Sequence, residues 1–271
     1  MMETMECRTT KGVCNMFPNA LKDKLDQGEL TLGLFVPFYA PPLVEIIGYA
    51  GLDFIIIDNE HGCFTDAQIE ELIRAAELTG VTPLVRVSYD PASIQKALDR
   101  GARGIQVPMV NCKADAEAVV RKAKFPPVGT RGAAYSVRAA KFGNLSGKAY
   151  LDAADTNTLV SVHIETMEAV KNFDEIVSVP GVNIAFVGPT DLSVSMGYKA
   201  EGPNHPEVKA VIEDLLRRGK EKDVTMGVMA SSIDDIGRCN SLGANFVTLV
   251  ASGLISAKFK EMVQVGRGKK L

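Results

Sequence analysis

Short apolar, β-branched runs alternate along the chain with longer segments whose apolar residues recur at helical spacing. The runs cover residues 32–36, 54–57, 83–87, 104–110, 159–164, 183–187, 225–229 and 246–250. Between them, helical periodicity predicts helices over 66–79, 91–100, 113–124, 206–222 and 233–242, after a short amphipathic segment at 20–26. Gly80, Gly101 and Gly243 stand where a left-handed residue stops a helix. The strand candidates are apolar throughout rather than alternating, so both faces are buried, as in a parallel sheet. Eight such strands in 271 residues fit one α/β domain, a single (β/α)8 barrel of the TIM type, which takes about 250 residues. An open doubly wound sheet would want a glycine-rich phosphate loop, and no G-x-G-x-x-G occurs. Residues 1–17 read as a loose N-terminal leader and residues 18–271 as the catalytic barrel. One connection breaks the rhythm: residues 125–155, rich in Gly, Ala and Arg, read as a long loop, and loops of that length are usually functional.

Composition narrows the function. The net charge is −3 and the Lys and Arg residues are scattered, which excludes the basic stripe of a nucleic-acid binder. The five cysteines are odd in number and none has C-x-x-C spacing, so a reduced, cytoplasmic protein is expected. The most apolar stretch, residues 43–57, is broken by Glu45 and Asp53 and is no membrane span. Nothing in the sequence calls for an organic cofactor.

In a parallel barrel the residues just past each strand's C-terminal end converge on one face, where the active site lies. The second strand candidate ends in Asp58-Asn59-Glu60-His61-Gly62, the third reaches Arg86, the fifth ends at Glu165 and the sixth at Gly188-Pro189-Thr190-Asp191. Glu165 and Asp191 offer hard oxygen ligands to one ion. Mg2+ suits such a site because it keeps several waters and takes one or two carboxylates; Mn2+ or Co2+ could replace it. The competing reading is a pair of carboxylates salt-bridged to barrel arginines. His61 reads as a general base, acting directly or through water, with Asp58 orienting its ring; the alternative is an ordinary loop histidine. Arg86 reads as a stabiliser of enolate charge, or else as a barrel-lining ion pair. His163, two residues before Glu165, points to the same side and either touches substrate or is a hydrogen-bonded core residue. No strand candidate contains or ends in lysine, so a Schiff-base mechanism lacks its nucleophile and metal-dependent chemistry fits better.

The stretches IIIDNEHG, PLVRV, QVPMV, KFPPVGTRG, VHIET, FVGPTDLSVSMGY and NHPEV resemble the HpcH/HpaI aldolase family, metal-dependent, pyruvate-releasing aldolases of the phosphoenolpyruvate/pyruvate barrel superfamily. The resemblance runs from about residue 32 to residue 254. It implies that His61 is the catalytic base with Asp58 as its partner, that Arg86 sits on the pyruvate oxygen, and that Glu165 and Asp191 hold the metal. It further implies that the amides of Thr190 and Asp191 hold the pyruvate carboxylate, with Gly188 and His163 beside it. Many relatives carry glutamine at the position of His163. They commonly have an aspartate where this chain reads Val250-Ala251-Ser252, and both departures bear on the aldehyde partner. Relatives of this type often form hexamers, so a homo-oligomer is implied.

The expected reaction is cleavage of a 4-hydroxy-2-oxo acid to pyruvate and an aldehyde, with Arg131, Tyr135 and Arg138 of the long segment binding the distal part of the substrate. The rivals are oxaloacetate decarboxylation at the same site and a barrel that binds a 2-oxo acid without turnover.

Overall fold

The computed structural model describes residues 17–88, 90 and 92–268. A short helix α1 (Ala20–Asp26) leads into β1 (Thr31–Val36), α2 (Pro41–Tyr49), β2 (Phe54–Asp58), α3 (Asp66–Thr79), β3 (Thr82–Arg86), α4 (Ser93–Asp99), β4 (Gly104–Val107) and α5 (Lys113–Ala123). The second half continues with α6 (Gly147–Asn157), β5 (Leu159–Ile164), α7 (Met167–Lys171), α8 (Phe173–Val177), β6 (Ile184–Val187), α9 (Pro189–Ser195), α10 (Pro206–Glu221), β7 (Thr225–Met229), α11 (Ile236–Ser241), β8 (Ala244–Val250) and α12 (Ala251–Gly266). The eight strands pair in chain order, each parallel to the next, and β8 closes on β1. This is the (β/α)8 barrel that the apolar runs predict.

Two shells of apolar packing hold it. Phe35, Phe54, Ile56, Leu84, Leu159, Ile184, Phe186 and Phe246 fill the barrel interior, with Leu21 and Leu25 of α1 packed onto the same cluster. Phe54 and Phe246 stack with centroids 4.0 Å apart. Gly33 gives them room: a Cβ there would meet the Phe54 ring at 2.3 Å. Asn19 fixes α1 against the barrel, its Nδ2 donating to the carbonyls of Arg103 (2.9 Å) and Asn157 (2.7 Å). The outward residues of the strands, such as Ile55, Ile57, Val85 and Val162, pack against the helices in a second cluster. Inward residues such as Phe54 and Ile56 and outward ones such as Ile55 and Ile57 are thus apolar for different reasons, which is why the runs are near-continuous.

Boundaries follow local chemistry. Helix α3 begins at a reciprocal cap between Thr65 and Gln68 and stops at Gly80, with φ of 78°. The fourth strand ends at Val107 rather than at residue 110, because Pro108 has no N–H for the ladder and Met109 turns left-handed (φ 57°). The helix expected over 91–100 forms from Ser93 to Asp99, and that expected over 233–242 divides into a 3₁₀ turn (Ile233–Asp235) and α11. The leader lies, except for Phe17, outside the described residues; Phe17 itself packs edge-on against Tyr150.

The long connection needs correction. Residues 125–155 are not one loop: a 3₁₀ turn (Arg138–Gly143) and most of α6 form within them. Nor do its arginines reach the strand mouths. Arg131 is buried and donates to Asp99 at the end of α4 (2.8 Å), while Arg138 pairs with Glu77 and donates to the Arg100 carbonyl (3.0 Å). Tyr135 packs edge-on against Tyr150. Opposite charges already occupy these cations, away from the barrel mouth. Among the described residues no helix is long and apolar enough to cross a membrane.

Candidate active site

Asp58, His61, Arg86, His163, Glu165, Gly188, Thr190 and Asp191 line one cavity of about 240 Å³, together with Phe35, Phe186, Met229 and Val250. The barrel register explains the convergence. Asp58 and Arg86 are cross-strand partners at the ends of β2 and β3. His163 and Glu165 share a side of β5 through its period of two, and α9 starts directly after β6.

Arg86 and Asp58 form a two-pronged ion pair: Nε donates to Oδ1 at 2.9 Å and Nη2 to Oδ2 at 2.7 Å. Nη1 lies 3.0 Å from Glu60 Oε2, and the guanidinium sits over the Phe35 ring. Burial alone would raise the pKa of Asp58, but the Arg86 bonds and charge, with the N–H groups of His61 and Glu60, outweigh it and hold the carboxyl below its usual range. Burial likewise disfavours the Arg86 cation, and its carboxylate partners reverse that and keep it charged. Glu60 was not among the candidate site residues; only the register reveals that Arg86 reaches it.

The turn after β2 is tight. Gly62 N–H donates to the Asp58 carbonyl at 3.0 Å, and a Cβ on Gly62 would lie 2.3 Å from that oxygen. Asp58 Oδ1 also accepts from the backbone N–H groups of Glu60 and His61, at 3.3 Å each. Asp58 therefore shapes the backbone beneath His61 instead of gripping its ring, which revises the expected Asp58–imidazole contact. The ring is 65% exposed, with Nε2 3.8 Å from Glu60 Oε2.

Glu165 is buried, and both of its oxygens are engaged. Oε1 accepts the Met109 N–H at 2.7 Å, and Oε2 accepts from His163 Nδ1 at 2.7 Å. Burial pushes its pKa up, yet the His163 bond, the Met109 N–H and the Arg86 charge bring it below the usual value, so the carboxylate is the acceptor and His163 the donor. His163 is buried and stacked on Phe186 at 5.0 Å, the hydrogen-bonded position that was one of its two readings; it also lines the cavity. Gly188 is required here, because a Cβ on it would come 2.6 Å from Glu165 Oε2. Asp191 stands exposed in the first turn of α9, with Pro189 opening the helix.

The donor set fits a divalent ion. Besides Asp58, which is paired with Arg86, buried Glu165 and exposed Asp191 face the cavity, and each Glu165 oxygen keeps a lone pair beyond its hydrogen bond. Among the described residues no group of three or more His, Cys, Asp and Glu forms a closed cage. A two-carboxylate site, with its other positions left to water and substrate, is what Mg2+ favours.

A model of the HpcH/HpaI aldolase/citrate lyase family matches residues 31–257. The 2-keto-3-deoxy-L-rhamnonate aldolase of Escherichia coli (strain K12) is 33% identical over 236 residues, covering 86% of this chain and 87% of that one. The hydroxypyruvate/pyruvate aldolase of Pseudomonas aeruginosa is 33% identical over 247 residues, covering 90% and 91%. In structure, an HpcH/HpaI aldolase/citrate lyase family protein of Burkholderia cenocepacia superposes with a TM-score of 0.84 at 32% identity, covering 92% of this chain and 99% of the other.

Proposed function

The chain belongs to the HpcH/HpaI aldolase/citrate lyase family, and from that premise we propose that it is a divalent-metal-dependent aldolase that reversibly cleaves a 4-hydroxy-2-oxo acid to pyruvate and an aldehyde. It is a carbon–carbon lyase acting on small molecules, as the aldolase names of relatives at 33% identity support. The observation that carries the reading is the meeting of Glu165 and Asp191 with Arg86 and His61 around one cavity.

Glu165 and Asp191 hold the ion, Mg2+ or Mn2+ with Co2+ as a substitute. When bound, it supplies Lewis-acid stabilisation of negative charge developing on the substrate's oxygens. The residues do the rest. The first-turn N–H groups of α9 at Thr190 and Asp191 lack intrahelical acceptors and bind the carboxylate of the 2-oxo acid. Gly188 and His163 flank that end of the substrate. The His61 imidazole accepts the proton of the 4-hydroxyl, directly or through water, and the hydroxyl oxygen becomes the aldehyde carbonyl. The C3–C4 bond breaks, and its electron pair passes to C3 and onto the keto oxygen as an enolate. Arg86 uses three of its five N–H groups on Asp58 and Glu60; the others stabilise that oxygen until C3 is protonated.

We place the active form as a homo-oligomer, a hexamer by resemblance. Exposed Phe259, Met262 and Val263 on α12 support an assembly. Free thiols at Cys63, Cys112 and Cys239 fit a reducing, cytoplasmic setting.

The test is solvent deuterium exchange into the pyruvate methyl group, followed by proton NMR with EDTA and then with Mg2+, Mn2+ or Co2+. Metal-dependent exchange is expected, and it should be lost in Glu165→Ala. No exchange with any metal on folded protein overturns the aldolase reading.

A further inference from the structure

Met109, whose N–H reaches the cavity-lining Glu165, holds a left-handed backbone without being glycine. Its φ of 57° is a conformation that L side chains adopt at a cost. The Met109 N–H donates to Glu165 Oε1 at 2.7 Å, and the left-handed φ sets how that peptide is joined to the Asn111 segment that follows it.

The turn is itself secured from the strand that carries Glu165. Asn111 Nδ2 donates to the Met109 carbonyl at 3.3 Å, and Asn111 Oδ1 accepts from the hydroxyl of Thr166, the residue after Glu165. Asn172 Nδ2 binds the Asn111 carbonyl at 2.9 Å, and Asp115 Oδ2 accepts the N–H groups of Asn111 and Cys112 at 3.0 and 3.1 Å. The β4 loop and the end of β5 are therefore laced together by a short chain of bonds with the Met109 peptide at its tip. On the other oxygen of Glu165, His163 donates its Nδ1–H.

We propose that Met109 and Asn111 are positioning residues for the metal ligand Glu165. The left-handed Met109 peptide, held by the Asn111 side chain, fixes Oε1 as His163 fixes Oε2, so the carboxylate is pre-set before the ion arrives. Partners that hydrogen-bond and orient a ligand typically change metal affinity about 10- to 100-fold when removed. The inference rests on the reading of Glu165 as a ligand.

The test is Mn2+ affinity of the EDTA-stripped full chain without substrate, by calorimetric titration, alongside circular dichroism and the melting temperature of the metal-free protein. Met109→Pro abolishes the N–H and forces φ negative; its dissociation constant should rise about 10- to 100-fold. Met109→Gly keeps the N–H and adopts the left-handed turn freely, so it should stay within about 3-fold of the parent. Asn111→Ala releases the turn and should weaken binding in the same direction as Met109→Pro, with the metal-free melting temperature little changed. A folded Met109→Pro protein with parental affinity overturns the proposal. Should that variant not fold, Asn111→Ala decides, and parental affinity there overturns it equally. Glu165→Ala is the control. If it binds Mn2+ like the parent, the ligand reading falls and the positioning role with it. If only Glu165→Ala loses binding, the ligand reading stands and the positioning role falls.

Discussion

Arg86 and Asp58 face each other across β3 and β2 in register, joined by two near-parallel hydrogen bonds of 2.9 and 2.7 Å. Asp58 is buried and Arg86 half-buried, so the pair's value lies in direction more than in net stability. A planar guanidinium gripped on one edge has its free N–H groups fixed in space, and the proposed reaction assigns them to the enolate oxygen. Lysine would keep the charge and lose the fork. Arg86→Lys is therefore expected to fold and to bind Mn2+ like the parent, while metal-dependent pyruvate exchange falls about 100-fold or more. Exchange within a few-fold of the parent would remove Arg86 from the chemistry.

His61 separates the two enzymatic readings. Its exposed ring donates no hydrogen bond to Asp58, whose oxygens accept from Arg86 and from backbone N–H groups. Aldol cleavage needs a proton taken from the 4-hydroxyl, whereas decarboxylation of oxaloacetate forms the same enolate without that step. Replacing His61 with Ala should lower cleavage of a 4-hydroxy-2-oxo acid by about 100-fold or more, the usual scale of general-base catalysis, and spare oxaloacetate decarboxylation. Equal losses in both assays would give His61 a role in binding rather than in proton transfer.

Gly188 tests how closely the site is built. A methyl group on it would stand 2.6 Å from Glu165 Oε2, inside contact distance, and Glu165 is already fixed by Met109 and His163. Either the carboxylate or α9 must shift, and both carry ligands in the proposed site. Gly188→Ala is expected to weaken Mn2+ binding by about 10-fold or more and to leave the barrel folded. Unchanged affinity would mean that the site tolerates a displaced Glu165.

What the sequence made legible follows from the range of each interaction. The barrel was readable because its runs are apolar on both faces, and α3 was readable to the residue because Thr65, Gln68 and Gly80 mark its ends. The mouth residues were readable because a strand end is a local feature. Pairing was not: Arg86 could be seen to precede a loop, but that Asp58 and Glu60 share it depends on the β2–β3 register. The same holds for Arg131 and Arg138, whose partners Asp99 and Glu77 lie 32 and 61 positions away. The Ala- and Gly-rich composition before residue 155 also hid α6. Met109 left no trace, because its contribution is a backbone N–H, which every residue but proline has.

Lys124 allows a test of the fold that is independent of the site. Burial brings its ammonium down to about 8 from 10.5, although Nζ donates to the carbonyls of Asp155 in the last turn of α6 and of Thr158 just after it. Between those two pKa values the unfolded chain binds more protons at this group than the folded one, so its contribution to stability rises with pH from about 8 to 10.5. Cys239 acts in the opposite sense: its folded pKa of about 11 lies above 9.0, so its contribution is lost as pH rises through that interval. The parent alone would show the two mixed. Lys124→Met removes only the lysine, and the difference between the two proteins isolates it. Urea unfolding at pH 7.5, 8.5 and 9.5 should show the parent gaining stability relative to Lys124→Met, by on the order of 1–3 kcal/mol across the full interval. Parallel profiles would mean that the ammonium is as well solvated by its two carbonyls as by water.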